Sequence, residues 1–259
     1  MVDRYKRRVS LSRRGFIRAS ALAAAGVVTT ACAEAILVDE TPHIEMRPST
    51  RPVSPKGQPT QAGQTDAQSL PPPRLEGTAS LEEALAARRS VRDYADKTLT
   101  WEEIGQLLWS MQGVTRNWGG RTAPSAGALY PLETYVVTAE GLYHYQPAGH
   151  QVTATPRLGL RQALWEAGLK QDYIRLAPAV FAIAAVYKRT SGKYGERAAR
   201  YVHLEAGHAA ENLLLQAVAL GLGGVVIGAF YDDKVQAALD LPGDQEPLYL
   251  IPVGHPKDF

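Results

Sequence analysis

Lys188-Arg-Thr-Ser-Gly-Lys193-Tyr194-Gly195-Glu196 opens the stretch whose reading decides the fold. It continues without proline to Gly221 and ends in Gly223-Gly-Val-Val-Ile-Gly-Ala-Phe230. The first eight residues read as a polar, basic loop. From about Glu196 to Gly221 the strong helix formers Ala, Leu and Glu dominate, so a helix of roughly 39 Å is expected. Val202, Ala206, Ala209, Ala210, Leu213, Ala217 and Leu220 recur at three-and-four spacing, while Leu214, Leu215, Val218 and Ala219 fill much of the other side. A helix this apolar around its circumference is expected to be a core helix that also meets a second subunit.

Working outward, Ser80-Leu-Glu-Glu83 and Thr100-Trp-Glu-Glu103 are capping boxes, each starting a helix. The first helix runs into Arg88-Arg89-Ser90-Val91-Arg92. Three arginines and a serine in five residues can hold a phosphate dianion, because the guanidinium fork matches phosphate oxygens. Cations at a helix C-terminus have an equally ordinary explanation in the helix dipole. Arg121-Thr-Ala-Pro124-Ser125-Ala126-Gly127-Ala-Leu129-Tyr130-Pro131 is small and punctuated by Gly and Pro, a bend where backbone can approach a ligand. It matches neither phosphate-loop nor dinucleotide glycine patterns. Thr134–Thr138 and Leu142–Tyr145 read as a hairpin, Arg157–Gly168 as a helix, Ala179–Tyr187 as a buried strand, Asp232–Leu239 as a short helix and Leu248–Lys257 as the last strand and its exit.

Several of these blocks resemble one family in register. Lys193-Tyr194, Arg197, Arg200-Tyr201, Glu205, Gly207-His208, Asn212 and Gly221-Leu222, with Pro124-Ser-Ala-Gly-Ala-Leu-Tyr-Pro131, resemble the SagB-type flavin dehydrogenases of the nitroreductase superfamily. Glu211 departs from the pattern, which more often has Gln. The resemblance covers about residues 77 to 259. It implies an α+β nitroreductase-like fold, a central, mainly antiparallel sheet flanked by helices, in a homodimer with FMN sites at the subunit interface. It further implies that Arg88 and Ser90, beside Arg89, take the flavin phosphate, that Arg92 reaches the ring, and that Lys257 is a late phosphate contact. Pro124, Ser125, Ala126, Gly127 and Leu129 would touch the flavin of the partner subunit. Val226-Ile227-Gly228-Ala229 resembles the strand end whose backbone faces the reactive ring nitrogen.

By the same resemblance Lys193 and Tyr194 are the acid/base pair of a dehydrogenase that oxidises an azoline-like ring in a small molecule or modified peptide. A lysine serves as a base only if burial or a nearby cation lowers its pKa from about 10.4, and Arg189 and Arg197 are near in sequence. Two other functions stay open: an NAD(P)H-dependent nitro or quinone reductase, and an exported flavin-binding electron carrier without turnover. His208 and Asn212 are expected as hydrogen-bonded core or interface residues. With no second His or Cys at ligand spacing no metal site is expected, and no serine has a nucleophile-elbow context.

The front of the chain reads separately. Residues 1–18 carry seven Lys/Arg and one Asp, leaving 21 basic against 25 acidic residues in the remainder. The mildly acidic body argues against nucleic acid as a partner. Ser12-Arg13-Arg14-Gly15-Phe16-Ile17-Arg18 before the apolar run Ala19–Ala31 is a twin-arginine signature, and residues 1–35 read as a signal peptide for export to the periplasm or cell envelope. Cys32 is the only cysteine, so it forms no intrachain disulfide, and it is either a lipid anchor or lost on cleavage. Residues 36–75, rich in Pro, Gln, Thr and Ser, read as a disordered tether, and residues 76–259 as the flavin domain.

Overall fold

The computed structural model describes residues 67–257. The twin-arginine segment, Cys32 and most of the expected tether lie outside them. The described chain begins earlier than the sequence suggests: β1 (Ala67–Ser69) pairs with a sheet strand, and Leu70 is buried. Residues 67–75 are thus part of the domain, not of the tether. Their polar composition hides this, because β1 is bound by backbone pairing at an edge and has little apolar surface of its own. Farther along, the Gln106 side chain accepts from Arg74 N–H at 2.8 Å and donates to Arg74 O at 3.0 Å.

After it come α1 (Leu81–Ala87) and α2 (Trp101–Gln112), both started by the expected capping boxes. The hairpin is β2 (Leu132–Val137) and β3 (Gly141–Gln146), extended by β4 (Gln151–Pro156). Then follow α3 (Leu160–Ala167), α4 (Asp172–Leu176), β5 (Ala179–Ala185), α5 (Lys188–Tyr194), α6 (Ala198–Ala219), β6 (Gly223–Gly224), α7 (Asp232–Leu239) and β7 (Glu246–Gly254). The strands form one sheet in the order β1-β4-β3-β2-β5-β7-β6, every neighbouring pair antiparallel.

β5 is an interior strand, between β2 and β7, and is buried on both faces. Its alternation sorts the core. Phe181 and Ile183 join Leu107, Leu108, Met111, Val202, Ala206 and Leu213 under α2 and α6. Val180, Ala182 and Ala184 join Leu164, Ile174, Val235 and Leu239 under α3, α4 and α7. This is the helices-over-sheet layering expected when each strand face must be covered.

Two expectations about the deciding stretch change. Residues 188–194 are helix α5, not a loop. The segment has no apolar stripe to betray it, but Thr190 is buried, Ser191 N–H donates to Tyr187 O at 3.0 Å, and Gly195 at φ 53° stops the helix. After α6, only Gly223–Gly224 forms strand, and Ile227 makes a single bridge to Leu250. In α6 itself the expected positions Val202, Ala206, Ala209, Ala210, Leu213 and Ala217 are all buried. The opposite face, with Leu204, His208 and Glu211, is exposed in the protomer. His208 is therefore not a core residue, because it lies outside the buried stripe.

Candidate functional site

The structure gathers the expected site residues into two groups. The first is a basic corner at the β6 edge. Arg88 caps the C-terminus of α1, and the chain then runs beside β6: Ser90 bridges Gly224, and Val91 N–H donates to Gly224 O at 3.0 Å. Close packing requires small residues here. A Cβ on Gly223 would lie 2.5 Å from Val91 Cγ2. Tyr94 locks the corner to β7, its hydroxyl donating to Val91 O at 2.8 Å and lying 3.1 Å from Pro252 O. Lys257 N–H donates to Asp93 O at 3.2 Å, so the late lysine does return to the Arg88–Arg92 segment.

Arg88 Nε lies 3.4 Å from Glu211 Oε1. The Arg92 guanidinium stands 5.7 Å from the Tyr173 ring centroid, and Gln171 Nε2 donates to Ala229 O at 3.0 Å. Gln171 and Tyr173, themselves hydrogen-bonded to each other, thus link Arg92 to the Val226–Ala229 run. Ile227 is buried, Val226 half-buried, and Gly228 and Ala229 are exposed. An added Cβ on Gly228 would meet nothing nearer than Tyr249 at 3.7 Å. Clustered arginines, a hydroxyl and a flat run of exposed small residues are a donor set that fits a phosphorylated, planar aromatic cofactor.

The second group is the bend before β2. Gly127 at φ 64°, Ala128 at 54° and Tyr130 at 46° all lie in the left-handed region, which is costly for the two non-glycine residues. Pro124 and Gly127 are exposed, and Ser125, Ala126 and Leu129 half-buried. The strain is held by specific bonds. Ser125 Oγ accepts the Tyr130 N–H at 2.9 Å, Arg121 N–H donates to the Tyr130 hydroxyl at 3.2 Å, and the Arg121 guanidinium lies 4.4 Å from the Tyr130 ring centroid. Lys193 and Tyr194 come to this bend. A Cβ on Gly127 would stand 2.9 Å from both Lys193 Nζ and the Tyr194 hydroxyl. Tyr194 also meets Tyr201 edge to face at 4.9 Å. Arg189, expected beside Lys193, instead pairs with Glu133 and donates to Tyr130 O at 3.1 Å.

Sequence reasoning missed Arg121, Gln112 and the placement of Glu205. Burial pulls the Arg121 pKa down, against Glu133 and Glu205 which pull it up. Its Nη1 donates to Gln112 Oε1 at 2.9 Å. Glu205, 2% exposed, has its pKa pushed up to about 7 by burial, against the Ser125 hydroxyl and Arg121. The available signal was its position: a carboxylate in the stripe Val202–Ala206–Ala209 has no solvent to face. Burial also raises the Glu133 pKa, but hydrogen bonds from His144 and Arg189 more than offset it and leave it below the usual value.

The Nitroreductase family profile matches residues 85–255. A nitroreductase-type protein of Methanocaldococcus jannaschii is 45% identical over 180 residues, 67% of this chain and 90% of that protein. A nitroreductase-type crystal structure from Ralstonia eutropha JMP134 superposes with a TM-score of 0.68 at 29% identity, covering 76% of this chain and 93% of that one. The NADPH:FMN oxidoreductase of Vibrio harveyi, solved with NAD+, shares the fold at TM-score 0.53 and 22% identity over 69% of each chain. With the α+β architecture and its antiparallel sheet, these likenesses show that the chain belongs to the nitroreductase family, a family of flavoproteins, and is an oxidoreductase.

Proposed function

We propose that the chain is an FMN-dependent dehydrogenase of the SagB type, which removes two hydrogens from a small molecule or modified peptide, as from an azoline ring. The observation that carries this reading is the convergence of Lys193 Nζ and the Tyr194 hydroxyl on Gly127. Two groups able to exchange a proton stand at the one point of the bend that has no side chain to cover them. Arg88, Arg89, Ser90 and Lys257 would hold the phosphate, Arg92 would reach the ring, and Val226–Ala229 would present backbone to it. FMN, when bound, supplies the two-electron chemistry. The protein's own part is to take the substrate proton at Tyr194 or Lys193 and to keep the substrate against the bend.

A homodimer completes the site, supported by the outward face of α6 with Leu204 51% exposed and by Leu81 of α1 at 61%. Export by the twin-arginine route, with Cys32 either lipidated or removed, is supported by the sequence at residues 12–18.

The test is a spectrum of the purified protein followed by turnover of Lys193→Ala/Tyr194→Phe. A flavin spectrum with turnover lost in the double variant is expected. Turnover unchanged with flavin bound overturns the role of the pair. Prompt bleaching on anaerobic mixing with NADPH replaces the dehydrogenase reading with a nitro or quinone reductase.

A further inference from the structure

The bend Pro124–Pro131 is strained, and its tip is exposed. Its inner support is Ser125, whose Oγ accepts the Tyr130 N–H. Against the Ser125 hydroxyl lies Glu205 of α6, with Oε1 buried and lacking a hydrogen-bond partner. A buried carboxyl in an otherwise apolar stripe costs stability that alanine or leucine would not. The polar groups that act on it, Ser125 and Arg121, both belong to the base of the bend.

We propose that Glu205 is a positioning residue for the site: through the Ser125 hydroxyl it fixes the bend, and so sets how Gly127 meets Lys193 and Tyr194. Glu205 acts through the loop and touches no substrate. Its catalytic consequence rests on the reading of Lys193 and Tyr194 given above, whereas the holding of the bend does not.

The chemistry has a direction. Ionised, the carboxylate accepts the Ser125 O–H, which leaves Oγ free to accept from Tyr130, and it attracts Arg121. Protonated, the carboxyl can itself donate to Oγ, so the Ser125 O–H loses its fixed acceptor and direction, and the attraction to Arg121 is lost. Burial places the changeover near neutrality. Of the charged and titratable groups nearby, Arg121 acts on Glu205, and Tyr130, Glu133 of β2 and Arg189 of α5 act on Arg121. Lys193 and Tyr194 of α5 stand at the tip of the bend, and Tyr201 and His208 lie about one turn away on α6 itself. On the α2 side the contribution is the uncharged Gln112. Arg88 is paired with Glu211 further along α6.

The experiment follows backbone amide exchange of residues 126–130 in the full chain without added FMN, from about pH 5.5 to about pH 8.5, corrected for intrinsic rates. Protection at Tyr130 is expected to rise about tenfold with an inflection near neutrality, to be flat in Glu205→Gln, and to return with a displaced inflection in Glu205→Asp. In the FMN-loaded enzyme the kcat of Glu205→Gln falls and loses that inflection, and Glu205→Asp restores part of it. A flat wild-type profile, or an inflection that persists in Glu205→Gln, overturns the proposal. Should Glu205→Gln fail to fold, infrared titration of the wild type decides. A buried carboxylic-acid band that vanishes in step with the gain in protection supports the role, and its absence refutes it. A protein that refuses FMN refutes the flavin reading alone, since the amide profile is read without flavin.

Discussion

Arg88 Nε lies 3.4 Å from Glu211 Oε1, so a carboxylate of α6 already occupies the first arginine of the basic corner. Both side chains are partly exposed, and an ion pair of that kind contributes about 0.2–1 kcal/mol. A phosphate arriving at Arg88 must displace Glu211 or accept it as a like-charged neighbour. Glu211→Gln is therefore expected to tighten FMN binding by about two- to fivefold at low salt, with the difference shrinking at high salt. Fluorescence titration of FMN at two ionic strengths checks this, and an unchanged Kd at low salt contradicts it.

Gly127→Ala puts a methyl group where Lys193 Nζ and the Tyr194 hydroxyl each stand 2.9 Å away, at a φ that also disfavours alanine. The backbone penalty is about 1 kcal/mol, because the tip is exposed and the core is untouched. Turnover is expected to fall at least about tenfold with flavin retained, since small misplacements of reacting groups are costly. Steady-state kinetics beside a melting curve separate the two effects.

Gly223→Ala acts at the other group. Its Cβ would lie 2.5 Å from Val91 Cγ2, which forces the Arg88–Arg92 run away from β6. FMN affinity is expected to drop about tenfold or more, while the far end of the sheet keeps its amide protection. Equal loss of protection throughout the sheet would mean that the glycine serves folding alone.

His150 gives a pH dependence. One ring nitrogen lies 2.9 Å from the Tyr145 hydroxyl, the other 2.9 Å from Pro71 O, and Leu70 N–H donates to His150 O at 3.0 Å. Burial pulls its pKa below 6.5, partly opposed by the Pro71 carbonyl. Between that lowered value and 6.5 the unfolded chain binds more protons than the folded one. Stability from this residue is thus complete above 6.5 and is lost as pH falls through the window below it. Proteolysis near Leu70 should accelerate on acidification before the central strands lose protection, and simultaneous loss would contradict this.

These residues also mark what the letters of the chain could disclose. Both capping boxes, β5 and the buried stripe of α6 were legible, because each carries its signal locally in spacing or in a side-chain cap. The strand Ala67–Ser69 was not, since its stability comes from pairing with β4 and from the Tyr145–His150–Pro71 bonds eighty residues away. Helix α5 hid for a related reason: it is held by Thr190 and by packing on α6, not by an apolar face. At the site, Lys193 and Tyr194 stand at Gly127 and Lys257 beside Asp93. Arg121 and Gln112 carry no motif of their own. Their importance arises only when the bend folds over Glu205.

The sheet order has a practical meaning. The chain before residue 67 joins at β1, one rim of the sheet, whereas the arginine corner is built on β6 at the opposite rim. Six strand spacings of about 4.8 Å put roughly 29 Å between the two rims. A surface, resin or fusion partner joined directly at Ala67 would be anchored at the rim opposite the arginine corner, and such a preparation should load cofactor as readily as the free protein.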